Sequence, residues 1–129
     1  MCGRYVLFSS LEELSGDLQR RLGAPRIPRA GVGEWPANYN VAPTTEVPIV
    51  REFRNEATIG PAHWGYPPKT VFNARGETAF SKPLFAGSLP CAFPMDGWYE
   101  WTVGEDGKKL PWFTTATDGH PLYAAGLCK

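Results

Sequence analysis

Leu11, Leu14, Leu18 and Leu22 recur at helical spacing, and Ser9 and Ser10 precede them as N-caps with Glu12 and Glu13 three residues on. The pattern predicts an amphipathic helix over residues 10 to 22, stopped by Gly23 and Pro25. Elsewhere the apolar runs are short and read as strands. Cys2 to Phe8 carries Tyr5, Val6, Leu7 and Phe8, a buried strand at the start of the chain. Val47 to Phe53 and Ala57 to Gly65 flank the turn Arg54-Asn55-Glu56 and read as partners. Cys91 to Phe93, Trp98 to Val103, Leu110 to Thr115 and Leu122 to Leu127 read as four more short strands. Gly104 to Lys108 and Asp118-Gly119 supply hairpin turns between them. Residues 23 to 45, rich in Pro, Gly and Asn, read as mostly loop; Pro67-Pro68 breaks the chain again, and residues 77 to 88 suit a short helix. The fold class expected is α+β: a β-rich, mostly antiparallel, partly barrel-like sheet with a few short helices and long loops.

The composition narrows this picture. A chain of 129 residues with 43% apolar content suits one domain with a real core. Thirteen basic residues balance thirteen acidic ones, so no global field draws the chain to nucleic acid, and any such contact needs a local basic cluster. Arginine is skewed toward the N-terminal half, with seven of eight in the first 54 residues. No stretch approaches the roughly 20 apolar residues of a membrane span, and Met-Cys-Gly-Arg with no long apolar run behind it is not a secretory leader. Three cysteines without framework spacing fit a reducing compartment, so a cytoplasmic location is expected.

The candidate chemistry begins at Cys2. A small second residue generally permits removal of the initiator methionine, which would leave a cysteine with a free α-amine beside its thiol. Such a 1,2-aminothiol condenses with an aldehyde: the amine, with a reference pKa of about 7.7–8.0, forms a Schiff base, and the thiol closes a five-membered thiazolidine. The open form of an abasic deoxyribose presents that aldehyde. Cys2, His63, Cys91, His120 and Cys128 lack the Cys-x-x-Cys and His-x-x-x-His spacings of a metal site. They also lack the spacing of a Cys-His protease, and no phosphate-cradling loop is present. No cofactor and no metal are expected.

Longer motifs extend this reading. Met1-Cys2-Gly3-Arg4-Tyr5 is followed by Tyr39-Asn40-Val41-Ala42-Pro43-Thr44, then His63-Trp64-Gly65, then Asn73-Ala74-Arg75-Gly76-Glu77-Thr78. Cys91 and Asp96-Gly97-Trp98-Tyr99-Glu100-Trp101 complete the series. In this order and spacing the chain closely resembles the SOS-response-associated peptidase (SRAP) family, from Cys2 to Ala124-Ala125-Gly126-Leu127.

The resemblance implies a function and a site. The function is covalent sensing of abasic sites in single-stranded DNA through a thiazolidine at Cys2, with autoproteolytic removal of Met1 in the same pocket. Cys2 matches the family nucleophile. Asn73 matches the residue that hydrogen-bonds near the reacting centre. Glu100 matches the catalytic glutamate, set among Trp98, Tyr99 and Trp101, where a carboxyl group can carry protons. Arg4 and Arg75 match arginines that contact the DNA backbone, since a planar guanidinium pairs well with phosphate. Trp64 and Trp101 stand where the family sets aromatic surface against unstacked bases; core packing is the competing role for Trp64. Asn40 and Pro43 match a loop that lines the same pocket, and Cys91 and Cys128 read as structural thiols.

Some features depart from the family pattern. The family continues into a segment with a His-x-Arg-Met-Pro-like motif, whereas this chain ends at Lys129, and neither His63 nor His120 takes that histidine's place by motif. The chain therefore reads as the N-terminal portion of one SRAP domain over residues 1–129, with an open sheet edge. A second copy, a separate chain carrying the remainder, or strand exchange would cover that edge; alternatively, the sequence is part of a longer natural chain. Gly76 and the short Tyr66 to Phe72 stretch also depart from the usual motifs. The alternative function is a catalytically impaired module that binds single-stranded DNA or a partner chain without efficient crosslinking.

Overall fold

A computed structural model of the chain describes residues 2–68 and 71–129. Its element order is β1 (Tyr5–Leu7), α1 (Leu11–Leu22), β2 (Asn38–Val41), β3 (Glu46–Phe53), β4 (Glu56–His63), two single-turn 3-10 helices (Ala79–Ser81 and Pro83–Phe85), β5 (Leu89–Met95), β6 (Gly97–Val103), β7 (Lys109–Thr115) and β8 (Leu122–Cys128).

The strands form two four-stranded sheets, β2-β1-β6-β7 and β4-β3-β5-β8. All pairings within them are antiparallel. The architecture is thus β-rich α+β, as the pattern implies. Its two sheets are separate and open among the described residues, so the barrel-like character of the expectation is only loose. Among the described residues no helix is long and apolar enough to cross a membrane.

The helix forms where its caps and leucines place it. The Ser10 side chain accepts from the Glu13 backbone N–H and the Glu13 side chain accepts from the Ser10 N–H, a complete capping box. Gly23 ends the helix at φ 67, a left-handed conformation that favours glycine. Leu11, Leu14 and Leu18 are buried, whereas Leu22 is exposed. Asp17 is buried among them and anchors the helix: it accepts from Tyr123 Oη at 2.7 Å and from Arg21 Nε at 2.7 Å, and it pairs with Arg20 at 3.4 Å.

One residue joins the two sheets. Only Asp96 separates β5 from β6, and there the chain steps from one sheet to the other. Its buried carboxylate accepts from the Phe8 and Ser9 N–H groups at 2.7 and 2.8 Å and from Ser9 Oγ at 2.6 Å. Its backbone N–H donates to the Val6 carbonyl at 2.8 Å. These bonds fasten β1 and the start of α1 to the corner. The core fills the space between the elements, with Tyr5, Leu7, Leu14, Ile49 and Ile59 almost fully buried.

Three elements differ from the pattern. The stretch read as mostly loop contains β2, whose residues are exposed except Val41. An edge strand that buries one side chain leaves no alternation to read. The helix expected over 77 to 88 is two 3-10 turns separated by Lys82, with Pro83 opening the second. β5 extends well beyond Cys91 to Phe93 in spite of Pro90 and Pro94, because its ladder to β3 involves only Cys91 and Ala92.

Candidate active site

Cys2 is half-buried just ahead of β1, and its thiol donates to the Arg4 carbonyl at 3.5 Å. Asn73 Nδ2 donates to the Cys2 carbonyl at 2.8 Å. The loop that carries Asn73 is itself held. Trp64 Nε1 donates to the Phe72 carbonyl at 3.0 Å, and the Tyr66 N–H donates to the Val71 carbonyl at 3.0 Å. A chain of contacts therefore runs from Trp64 through Phe72 and Asn73 to Cys2. The order of motifs gives no sign of it, since it depends on which loop folds back over which strand.

Trp64 corrects an expectation. It is buried, with its ring 5.3 Å from Tyr5, 6.2 Å from Phe93 and edge-on to Phe72 at 5.9 Å. It packs in the core and braces the Asn73 loop, and only 7% of its surface is exposed. The backbone ties the neighbouring loop to it: Thr44 N–H donates to the Trp64 carbonyl at 2.8 Å, and Trp64 N–H donates to the Thr45 carbonyl at 3.0 Å. Pro43 lies half-buried in that loop.

The other predicted residues sort by face. Arg4 and Asn40 come together, with the guanidinium donating to Asn40 Oδ1 at 3.1 Å. Trp101 is 48% exposed and lies 6.3 Å from Tyr99 on the same strand, and Tyr99 in turn lies 5.2 Å from Phe113. Glu100 is half-buried on β6, paired in register with Trp112. Arg75 is exposed in the turn after Asn73. Burial pushes the Cys2 thiol above its ordinary value, and the Glu100 carboxylate adds to the rise.

A cavity of about 360 Å³ opens beside this group. Cys2, Asn73 and Trp64 line it together with Tyr5, Phe93, Cys91, His63 and the β8 backbone from Ala124 to Leu127. Its walls are largely apolar. Arg4, Glu100, Trp101 and Arg75 lie outside its lining. Tyr5 has no role of its own in the motif reading, yet its buried hydroxyl has no hydrogen-bond partner among the described residues.

Cys91 stands opposite Gly126 in the β5–β8 ladder, and burial, reinforced by the neighbouring Cys128, pushes its thiol up to about 12. Among the described residues no three His, Cys, Asp or Glu side chains gather to hold a metal. His63 stands exposed at the end of β4, and His120 pairs with Asp118 at 3.2 Å in an exposed turn.

Known proteins share this sequence pattern and fold. Residues 1–129 match the family model described as SOS response associated peptidase (SRAP). The chain is 34% identical to abasic site processing protein YedK of Escherichia coli K12, over 98% of this chain and 59% of the relative. It is 29% identical to abasic site processing protein YobE of Bacillus subtilis 168, over 98% of this chain and 61% of the relative. The crystal structure of a phage-related protein from Bordetella bronchiseptica superposes with a TM-score of 0.70 at 27% identity, covering 98% of this chain and 60% of that one. The chain thus spans about three-fifths of the length of these relatives. A family match over residues 1–129, on a fold that holds Cys2 against Asn73, means that this chain belongs to the SOS response associated peptidase family.

Proposed function

We propose that the chain is a covalent sensor of abasic sites in single-stranded DNA, acting through Cys2 as its N-terminal residue. The observation that carries this reading is the Asn73 bond to the Cys2 carbonyl, between two residues that line the cavity. It holds the one residue that becomes a 1,2-aminothiol once Met1 is gone. Met1 lies outside the described residues. Its removal would be a hydrolysis in the same pocket, water adding to the Met1–Cys2 peptide carbonyl and the Cys2 amine leaving. The names of the curated relatives, abasic site processing proteins, support the reading.

The amine attacks first, because the thiol closes the ring on the imine carbon that this attack creates. Its nitrogen adds to the C1 carbon of the ring-opened deoxyribose, and water leaves to give the imine. The thiol sulfur then adds to the same carbon, its proton passing to the nitrogen, and the thiazolidine closes. Glu100 moves protons through these steps. Arg4 and Arg75 engage phosphates, Trp101 stacks on a flanking base, and Asn40 with Pro43 shapes the strand's path.

Intact mass spectrometry tests this directly, before and after incubation with single-stranded DNA carrying one abasic site. The expected result is loss of Met1 and a DNA-sized adduct that is absent from Cys2→Ala. DNA retained without an adduct, despite a free Cys2, would make the chain a binding module and overturn the covalent reading.

A further inference from the structure

We propose that the Tyr5 hydroxyl is a catalytic hydrogen-bond donor to the oxygen of an aldehyde reacting at Cys2. The proposal rests on the covalent chemistry above and adds a residue to it.

Tyr5 is 1% exposed, in the middle of the core, and its ring packs 5.3 Å from Trp64. Its hydroxyl is buried without a partner among the described residues. An unsatisfied buried hydroxyl is destabilising, and phenylalanine would fill the same space without that cost. Such a group calls for a function or a ligand. Tyr5 is among the residues lining the cavity that Cys2 and Asn73 also line, which sets the phenol in the wall beside Cys2. The phenol is also electrostatically coupled to Cys2: burial holds its ionisation above the ordinary range and a thiolate at Cys2 would raise it further. Tyr5 therefore keeps its proton and acts as a donor. The Asn73 amide nitrogen is already engaged with the Cys2 carbonyl.

The chemistry needs such a donor twice. When the Cys2 amine adds to the aldehyde carbon, the carbonyl oxygen gains negative charge and takes up a proton to become the carbinolamine hydroxyl. When the nitrogen lone pair then forms the imine, that oxygen takes the second proton the nitrogen gives up and leaves as water. A hydrogen bond from Tyr5 steadies the oxygen in both steps, and Tyr5 ends with the proton it began with. Nothing is oxidised or reduced.

The test is Tyr5→Phe, in protein whose mass shows a free Cys2. It is compared with wild type and Cys2→Ala on abasic single-stranded DNA and on 2-deoxyribose 5-phosphate. Removing one donor aimed at a developing oxyanion is expected to slow adduct formation roughly 100-fold with both probes. DNA affinity should hold, and the melting temperature should stay level or rise. Tyr5→Phe reacting at the wild-type rate while Cys2→Ala is inert would overturn the Tyr5 role and leave covalent sensing intact. A slowing confined to DNA, with weaker DNA binding, would also overturn it. So would a Tyr5→Phe protein that fails to fold, because the hydroxyl would then be structural. No adduct from wild type with either probe would sink both proposals.

Discussion

Asn73 reaches across 71 positions of sequence to donate its side-chain N–H to the Cys2 carbonyl at 2.8 Å. The start of the chain is thereby fixed by a loop that the Trp64 indole holds in place.

This bond sets the first expectation. Asn73→Ala removes the side-chain donor to that carbonyl, at a cost in stability of about 1 kcal/mol. Adduct formation at Cys2 should slow by about 10-fold or more, because misplacement of a reacting group is costly. Asn73→Asp, with an acceptor facing an acceptor, should be slower still. Single-turnover rates by mass spectrometry check both; wild-type rates would mean the bond positions nothing.

The two tryptophans should separate. Trp64 is buried at the centre of an aromatic cluster, so Trp64→Ala should destabilise the fold by about 3–5 kcal/mol. Trp101 is 48% exposed, so Trp101→Ala should hold its melting temperature and weaken single-stranded DNA binding. Loss of one stacked base is worth about 1–3 kcal/mol, or roughly 5-fold to 150-fold in Kd. Fluorescence anisotropy alongside thermal melts distinguishes them. A Trp101→Ala protein with unchanged affinity would remove Trp101 from the DNA path.

Acid should loosen the helix anchor. Burial alone would raise the Asp17 carboxyl, but hydrogen bonds from Tyr123 and Arg21 and the charges of Arg21 and Arg20 outweigh it, and the group lies below its ordinary value. A depressed carboxyl stabilises the fold fully above its unfolded value of about 3.9, and that share is lost as pH falls through the folded value. Wild type should therefore lose stability more steeply than Asp17→Asn below about pH 4, and Asp17→Asn should be the weaker protein at pH 7. Denaturant midpoints taken across this range check the sign. Parallel curves would mean that the ion pairs contribute nothing.

Cys91 should be a slow thiol. With its ionisation pushed up to about 12, little thiolate exists near pH 8. The greater nucleophilicity of a more basic thiolate recovers part of that deficit, leaving alkylation about 30-fold or more below a free cysteine peptide. Peptide mapping after a timed iodoacetamide pulse reads this directly, and alkylation at the peptide rate would show the thiol to be open.

The chain's own pattern reveals the helix and most strands, because Leu11, Leu14 and Leu18 and the hairpin turns carry local signals. β2 escapes because its side chains are mostly exposed and its pairing to β1 is long-range. The site divides the same way. Cys2, Asn73 and Glu100 are legible only as motif positions. That Asn73 meets the Cys2 backbone, that Trp64 turns inward and that Tyr5 lacks a partner among the described residues are facts of tertiary packing, which no spacing along the chain encodes.

Gly126 lies where a methyl group would collide with the Phe93 ring and crowd the Cys91 sulfur at 3.3 Å. The Phe93 ring therefore packs directly against Gly126, 6.2 Å from Trp64 and in the wall of the cavity. Any larger residue at 126 would force that ring to shift. The shape of the cavity wall is thus set in part from β8, a strand that holds none of the motif residues at Cys2, Asn73 and Glu100.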